Sequence, residues 1–230
     1  MQQLDDTQVY LPEVWASHAR FRADKPALIC GQCTLTWREL NQGMNRVANS
    51  LLAHGVSPGE KVAVLMGNSV EALVILFGIV KAGACVVPIS TLLTPEQVAT
   101  LLLDSGAHCL FCGATSRDLG NAAVDAVEKT GHPVQTLITV DWSRTGAVSY
   151  DDWLDRDADG EPHVRYELGD DFNIIYSSGT TGLPKGIVQT HRARQHWSYS
   201  NALELRMDHR SVSLATTSLY SNGTWFMLLP

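Results

Sequence analysis

The chain has 230 residues, of which 45% are hydrophobic and 18% are charged, and this composition is typical of a globular protein with a substantial core. Its 17 basic and 24 acidic residues give a net charge of −7, which argues against a nucleic-acid partner because such a partner requires a clustered basic surface. Residues 1–10 lack the basic start and apolar run of a secretory signal, and the longest apolar stretch is too short to span a bilayer, so we expect a cytoplasmic protein.

The predicted elements begin with a small hairpin that turns about Gly31-Gln32. A long helix then starts at Thr36, where Thr36 and Glu39 have the spacing of a capping box. Further along the chain, short apolar runs alternate with helical patterns. The predicted strands are 61–66, 85–88, 108–112, 134–140 and 172–176, and the predicted helices are 69–82, 95–104 and 121–129. This alternation predicts an α/β fold with mostly parallel sheets covered by helices.

The stretch 141–167 is polar, acidic and without periodicity, so we predict a linker-like loop there. Within it, Asp155 to Gly160 resembles the first half of a calcium-binding EF-hand loop. The twelfth position, which requires a bidentate glutamate, holds Tyr166, and Pro162 interrupts the loop. We therefore expect a solvated acidic loop and assign no metal to it.

The five cysteines include two CxxC pairs, which is the spacing of a four-sulfur zinc site. Cys30 and Cys33 flank the hairpin turn, where Gly31 would permit a metal-binding knuckle. Cys109 and Cys112 lie in an apolar run, and residues three apart on a strand point to opposite faces of the sheet. Buried free thiols are therefore the preferred interpretation, and no zinc site is assigned.

One loop has an unusual composition for its length. A short apolar run ending at Tyr176 leads directly into residues 177–186, which contain four hydroxyl side chains, three glycines and one lysine. The glycines allow successive backbone N–H groups to turn inward on an anion, the hydroxyls add donors, and Lys185 adds a positive charge. A flexible surface loop is the alternative interpretation, but few such loops join a buried strand to a lysine after Gly-x-Pro.

Other nucleotide motifs do not fit this loop. A Walker A loop requires Gly-Lys followed by Ser or Thr, whereas Lys185 here follows Pro184 and precedes Gly186. The segment also lacks GxGxxG, which weakens a dinucleotide interpretation.

Residues 176–186, Tyr-Ser-Ser-Gly-Thr-Thr-Gly-Leu-Pro-Lys-Gly, resemble the signature loop of the AMP-forming acyl-CoA synthetases and their adenylation-domain and luciferase relatives. Two weaker blocks of that family occur in the expected order. Leu35 to Leu40 resembles the block that opens an early helix, and Lys81 to Ile89 resembles the block that joins a helix to a core strand. The resemblance implies the large N-terminal domain of an adenylate-forming enzyme, and it covers essentially the whole chain.

The resemblance also implies a reaction and the residues that serve it. ATP would react with a small-molecule carboxylic acid to give an acyl-adenylate and pyrophosphate, and coenzyme A would then take the acyl group, with Mg²⁺ as a cofactor held mostly by residues outside this chain. The residues implied to bind the β- and γ-phosphates of ATP are Ser177, Ser178, Gly179, Thr180, Thr181, Gly182 and Lys185.

Residues 218–225 fall where acyl- and aryl-CoA ligases carry an aromatic–His pair near the acyl pocket. The residues that the resemblance places at this substrate pocket are Tyr220, Ser221, Asn222 and Gly223. Ser221 stands where the pattern expects His, so a His gate is in doubt. No Asp lies between residues 211 and 230 to pair a substrate amine, which favours an acid without an α-amino group over an amino-acid-activating domain. Trp225 fits a core aromatic equally well.

The histidines and arginines after the loop carry no assignment. His191 and His196 are five apart and do not share a helix face as metal ligands would, so we expect exposed or capping histidines. On the same predicted helix, Arg192, Arg194 and Arg206 are expected on a solvated face.

Several later blocks of the family are missing from the sequence. We find no Tyr-Gly-x-Thr-Glu block for adenine and magnesium, no ribose-binding Asp block, no hinge and no distal catalytic lysine. The expectation is an incomplete N-terminal AMP-binding domain over residues 1–230, without its C-terminal domain and unable alone to complete acid activation. The alternative from another class is a non-catalytic nucleotide- or partner-binding module that kept only the loop.

Overall fold

The computed structural model describes residues 8–132, 134–177 and 184–230, and within these ranges the chain forms a two-stranded sheet, a seven-stranded sheet and eight α-helices. The strands are β1 (Pro26–Cys30), β2 (Cys33–Thr36), β3 (Lys61–Leu65), β4 (Cys85–Pro88), β5 (Cys109–Gly113), β6 (Thr136–Val140), β7 (Val148–Ser149), β8 (Asp171–Ser177) and β9 (Lys185–Thr190). The helices are α1 (Leu11–Phe21), α2 (Trp37–Ala53), α3 (Val70–Lys81), α4 (Pro95–Ser105), α5 (Arg117–Glu128), α6 (Tyr150–Trp153), α7 (His191–Glu204) and α8 (Asn222–Leu228). None of the helices in these ranges has the length and apolar character needed to cross a membrane.

The large sheet has the strand order β7-β6-β5-β3-β4-β8-β9. Strands β3 to β8 pair in parallel, and β8–β9 is the one antiparallel pair among the described strands of this sheet. The predicted mostly parallel sheet is therefore confirmed. Strand β9 was not predicted, and it turns the predicted phosphate loop into the connection of a β-hairpin at the edge of the sheet.

Helices cover both faces of this sheet. Along β3, Val62 and Val64 belong to the core cluster shared with α2 and α3, whereas Ala63 and Leu65 belong to the cluster shared with α4 and α5. A strand buried on both faces has no need for polar residues, which is why β3 after Lys61 is a continuous apolar run rather than an alternating one. We call these the α2–α3 face and the α4–α5 face of the sheet.

Local sequence signals set several helix boundaries. The Thr36 hydroxyl accepts a bond from the Glu39 N–H, and the Glu39 carboxylate accepts one from the Thr36 N–H at 2.8 Å, so the predicted capping box is confirmed. Helices α2 and α3 then pack closely because Gly78 lacks a side chain. A Cβ at Gly78 would lie 2.6 Å from Cβ of Val47 and 2.9 Å from the backbone oxygen of Met44.

The segment predicted as a linker-like loop is instead folded against the domain. It contains β7 and α6, and Trp153 is buried in the core. Its acidic end contacts α2 and α3, where Asn41 and Lys81 bond to the Glu161 carboxylate at 2.6 and 2.7 Å. The Asn49 amide donates to two backbone oxygens of the segment. These polar contacts have no hydrophobic periodicity, so the sequence pattern gave no sign of them.

Candidate functional site

The ends of the predicted phosphate loop lie face to face across the β8–β9 hairpin. Ser177 is the last residue of β8 and Lys185 is the first residue of β9, and the two are register partners. Directly opposed residues of an antiparallel pair have their side chains on the same face of the sheet. The Ser177 hydroxyl and the Lys185 ammonium therefore flank the mouth of the loop together. The other residues predicted to bind phosphate lie outside the described residues, and they are Ser178, Gly179, Thr180, Thr181 and Gly182.

Tyr176 and Gly186 show which face of the sheet this mouth occupies. A Cβ at Gly186 would lie 3.1 Å from the Tyr176 ring and 3.0 Å from the Ile174 side chain, and both of those side chains pack with the α4–α5 cluster. The Tyr176 hydroxyl donates to the Asp104 carboxylate at the end of α4, at 2.6 Å. Because side chains alternate along a strand, Ser177 and Lys185 are directed to the opposite, α2–α3 face.

Burial raises the pKa of the Tyr176 hydroxyl, and the hydrogen bond to Asp104 raises it further. This phenol therefore stays protonated at neutral pH and acts as a neutral donor. It fixes the strand immediately before the loop to α4. Its contribution is to position the loop rather than to supply charge.

The predicted acid-pocket residues span the turn before α8 and the first residues of that helix, which begins at Asn222. Tyr220, Ser221 and Asn222 are half-buried, and Gly223 is exposed. The turn is held by hydrogen bonds from α8 back to the preceding segment, since the Thr224 hydroxyl donates to the Ser218 oxygen and the Trp225 indole donates to the Leu219 oxygen, both at 2.7 Å.

The side chains of Trp225 and Asn222 have different environments. Trp225 is fully buried among Phe77 and Phe172, which confirms the core interpretation of this residue. The Asn222 side-chain oxygen is buried, and it has no hydrogen-bond partner among the described residues.

Asn68 connects the predicted acid-pocket segment to the sheet, and sequence reasoning missed it. Its side-chain oxygen accepts from the Leu219 N–H at 2.9 Å, and its amide nitrogen donates to the Thr217 oxygen at 3.1 Å. Asn68 follows β3 at the carboxyl end of that strand. Because β3, β4 and β8 are parallel neighbours, the carboxyl ends of β3 and β8 lie at one edge of the sheet, about 10 Å apart.

This arrangement places two predicted subsites at the edge where parallel sheets bind ligands, outside the carboxyl ends of the strands. The loop mouth at Ser177 and Lys185 is directed to the α2–α3 face. The segment held by Asn68 ends in Trp225, which packs in the core cluster of that same face. The two predicted subsites therefore lie on the same face of the sheet, at the carboxyl ends of its strands.

We expect Asn68→Ala to release this segment without unfolding the protein. The substitution removes both hydrogen bonds of Asn68, each of which contributes about 0.5 to 1.5 kcal/mol, so exchange of the Leu219 amide hydrogen should become at least about tenfold faster. Asn68→Asp keeps an oxygen acceptor for the Leu219 amide but loses the donor to the Thr217 oxygen, so its exchange rate at Leu219 should lie between those of the wild type and Asn68→Ala. Unchanged exchange at Leu219 in Asn68→Ala would show that Asn68 does not anchor the segment.

Two predictions for the helix after the loop were wrong. His191 is buried rather than exposed or capping, and it packs against the rings of Tyr10, Tyr166 and Phe172. Burial lowers the His191 pKa to about 4, although Asp170 opposes the shift.

Arg194 was predicted on a solvated face but is 1% exposed, while Arg192 is exposed and Arg206 lies beyond the end of α7. The Arg194 Nε donates to the side-chain oxygen of Asn173 on β8 at 2.9 Å, and the guanidinium lies 5.4 Å from the Trp225 ring centre. Arg194 thus joins β8, which leads into the predicted phosphate loop, to α8, which contains Trp225.

The cysteines divide into two environments. Cys109 packs in the cluster of the α2–α3 face and Cys112 in that of the α4–α5 face, so the opposite-face interpretation is confirmed. Cys30 and Cys33 are exposed, and the expectation of buried thiols is wrong for this pair because the hairpin turn projects from the core. Within the described ranges, no three His, Cys, Asp or Glu side chains come together in a way that could hold a metal ion.

Comparison with known proteins gives one family and a consistent fold. The family model described as AMP-binding enzyme matches residues 15–230. The long-chain-fatty-acid–CoA ligase FadD13 of Mycobacterium tuberculosis is 36% identical over 197 residues, which cover 81% of this chain and 38% of that protein. The fatty acid–[acyl-carrier-protein] ligase ScoC of Streptomyces coeruleorubidus is 35% identical over 188 residues, covering 80% of this chain and 33% of that protein.

Among solved structures, the N-terminal domain of FACL13 from Mycobacterium tuberculosis aligns with a TM-score of 0.76 and 27% identity, covering 96% of this chain and 54% of that one. The chain spans about a third to two fifths of the length of the two curated relatives.

Proposed function

The chain belongs to the family of AMP-binding enzymes, and we propose that it supplies the triphosphate site of an enzyme that activates a carboxylic acid with ATP. The observation that carries the proposal is the hairpin register that sets the Ser177 hydroxyl opposite the Lys185 ammonium at the mouth of the Gly- and Thr-rich loop. A hydroxyl, a cation and the N–H groups of the intervening residues are donors suited to the β- and γ-phosphates.

In the proposed reaction, a carboxylate oxygen of the acid attacks the α-phosphorus of ATP, and the bond to the pyrophosphate oxygen breaks. The products of this step are an acyl-adenylate and pyrophosphate. Ser177 and Lys185 would hold the departing pyrophosphate while negative charge builds up on it, so their contribution is positional and electrostatic. The segment held by Asn68 would hold the acid beside them, because both lie at the same edge of the sheet.

We propose coenzyme A as the final acyl acceptor, as the name of FadD13 suggests for that relative. A thiol sulfur attacks the acyl carbon of the adenylate, and AMP leaves. ScoC is named for a carrier-protein acceptor, so a carrier-protein thiol is the second candidate for this step.

We also propose that Mg²⁺ accompanies the triphosphate, because it commonly binds through substrate phosphates and one or two carboxylates. The described residues offer no cluster of three metal-ligating side chains, and the chemistry above assigns no step to the ion. Its effect would be to offset phosphate charge when bound.

Calorimetric titration of the 230-residue chain with ATP, pyrophosphate and AMP tests the proposed triphosphate site. Since the loop is proposed to hold the β- and γ-phosphates, ATP and pyrophosphate should bind and compete with each other. AMP lacks those phosphates and should bind at least about tenfold more weakly, which corresponds to the loss of one or more charge-assisted hydrogen bonds. Equal affinity for AMP and ATP, or no binding of either ATP or pyrophosphate, would contradict the proposal.

A further inference from the structure

The tip of the β1–β2 hairpin carries two cysteines in direct opposition. Cys30 ends β1 and Cys33 begins β2, and they are register partners separated only by Gly31 and Gln32. Gly31 has a φ of 59°. A two-residue turn with a left-handed glycine at its first position is typical of type II′ hairpins, which hold the flanking residues in tight register.

This register satisfies the backbone requirement of a disulfide. Opposed residues in an antiparallel pair have Cα atoms about 4.5 to 5.5 Å apart and side chains on the same face. A disulfide requires Cα atoms about 4.4 to 6.8 Å apart. The Cα separation expected for this register thus lies within the disulfide range, and Cys30 and Cys33 are placed where a disulfide can form.

The environment of the pair also leaves it accessible. Both thiols are exposed and free, and the adjacent Ile29 side chain is 65% exposed, so the tip projects away from the core. The remaining thiols, of Cys85, Cys109 and Cys112, are buried in strands of the large sheet. Their burial raises the pKa of each to about 12, which keeps them protonated and unreactive at neutral pH.

We propose that the hairpin tip is a dithiol modification site, at which Cys30 and Cys33 close into an intramolecular disulfide by exchange with a glutathione-type disulfide. This site is separate from the carboxyl edge of the sheet, and the inference does not depend on the proposed acid activation.

The exchange proceeds in two balanced steps. The thiolate of one cysteine attacks a sulfur of the glutathione disulfide, forming a mixed disulfide and releasing one glutathione thiolate. The thiolate of the other cysteine then attacks the protein sulfur of the mixed disulfide and releases the second glutathione. The two cysteines are oxidised, the glutathione disulfide is reduced to two thiols, and the two protons lost by the cysteines go to the released glutathiones.

Intact-mass measurement after incubation with glutathione disulfide tests this site. We expect the wild-type chain to lose two hydrogen atoms and to retain three alkylatable thiols on unfolding, with peptide mapping that joins Cys30 to Cys33. Cys33→Ser should stop at the mixed disulfide and gain one glutathione.

The matched control keeps two thiols at the tip but moves one to the other face of the hairpin. In the double variant Cys33→Ser/Thr34→Cys, the new thiol pairs in register with Ile29 rather than with Cys30. This variant should carry glutathione on both cysteines and should not close. Wild-type chain that stays unmodified, that carries two glutathiones without closing, or that closes no more readily than the double variant would overturn the proposal.

Discussion

Replacing Glu161 by alanine should lower the free energy of unfolding by about 2 to 3 kcal/mol at neutral pH. Lys81 is 1% exposed, and its ammonium bonds to the Glu161 carboxylate and to the Asn41 side-chain oxygen, both at 2.7 Å. Burial lowers the Lys81 pKa, and the bond to Glu161 acts against that shift. Removing one partner of a buried ion pair lowers the free energy of unfolding by about 3 to 5 kcal/mol. The expected loss here is smaller, because the Glu161 side chain is half exposed.

Urea denaturation of the wild-type chain and the variants measures this loss. Asp157→Ala removes an exposed acid of the same segment and should change the free energy of unfolding by no more than about 0.5 kcal/mol. If the unpaired ammonium causes the loss, the double variant Glu161→Ala/Lys81→Met should be more stable than Glu161→Ala alone. A Glu161→Ala chain as stable as Asp157→Ala would show that the segment is not held by this pair.

Acidification should destabilise the protein through His191. Its pKa is about 4 in the folded chain and 6.5 in the unfolded chain, so between these pH values the unfolded state binds more protons. The contribution of His191 to the free energy of unfolding is therefore fully present above about pH 7, and it decreases as the pH falls. Between pH 7.5 and pH 5 the expected loss from His191 alone is about 2 kcal/mol.

His191→Phe isolates this contribution because it keeps an aromatic ring among Tyr10, Tyr166 and Phe172 but cannot take up a proton. Other groups titrate equally in both chains and cancel in the comparison. The free energy of unfolding of the wild type should therefore fall about 2 kcal/mol further than that of the variant between pH 7.5 and pH 5. Parallel pH profiles for the two chains would contradict a buried, neutral His191.

The strands and helix starts that could be predicted are those set by residues close together in the sequence. Residues 62–65 of β3 and the whole of β5 are short runs without polar side chains, and in a chain with alternating helices this pattern indicates a buried parallel sheet. The helix starts at Thr36 and Thr94 follow from capping boxes, whose residues satisfy backbone N–H groups within four positions of the chain. Neither signal depends on distant residues.

The parts that could not be predicted depend on polar contacts between distant residues. On α7 the buried positions His191, Arg194 and Ser198 have helical spacing, but hydropathy cannot identify them because all three side chains are polar. The segment around Glu161 is likewise held by amide and lysine side chains that lie more than 70 positions away. At the candidate site, the loop composition predicted a phosphate-binding function, whereas Asn68 carries no motif and is identified only by its contacts.

The most direct test of the phosphate site is the pyrophosphate affinity of Lys185→Ala, measured by calorimetry at several salt concentrations. Loss of one charge-assisted contact corresponds to about 1.5 to 3 kcal/mol, so binding should weaken by about 10- to 100-fold, with a shallower dependence on salt. Lys129→Ala removes an exposed lysine that lies between α5 and the amino end of β6, away from the carboxyl ends of the strands. This variant should bind pyrophosphate as the wild type does. If Lys185→Ala binds pyrophosphate as tightly as Lys129→Ala, this loop is not the triphosphate site.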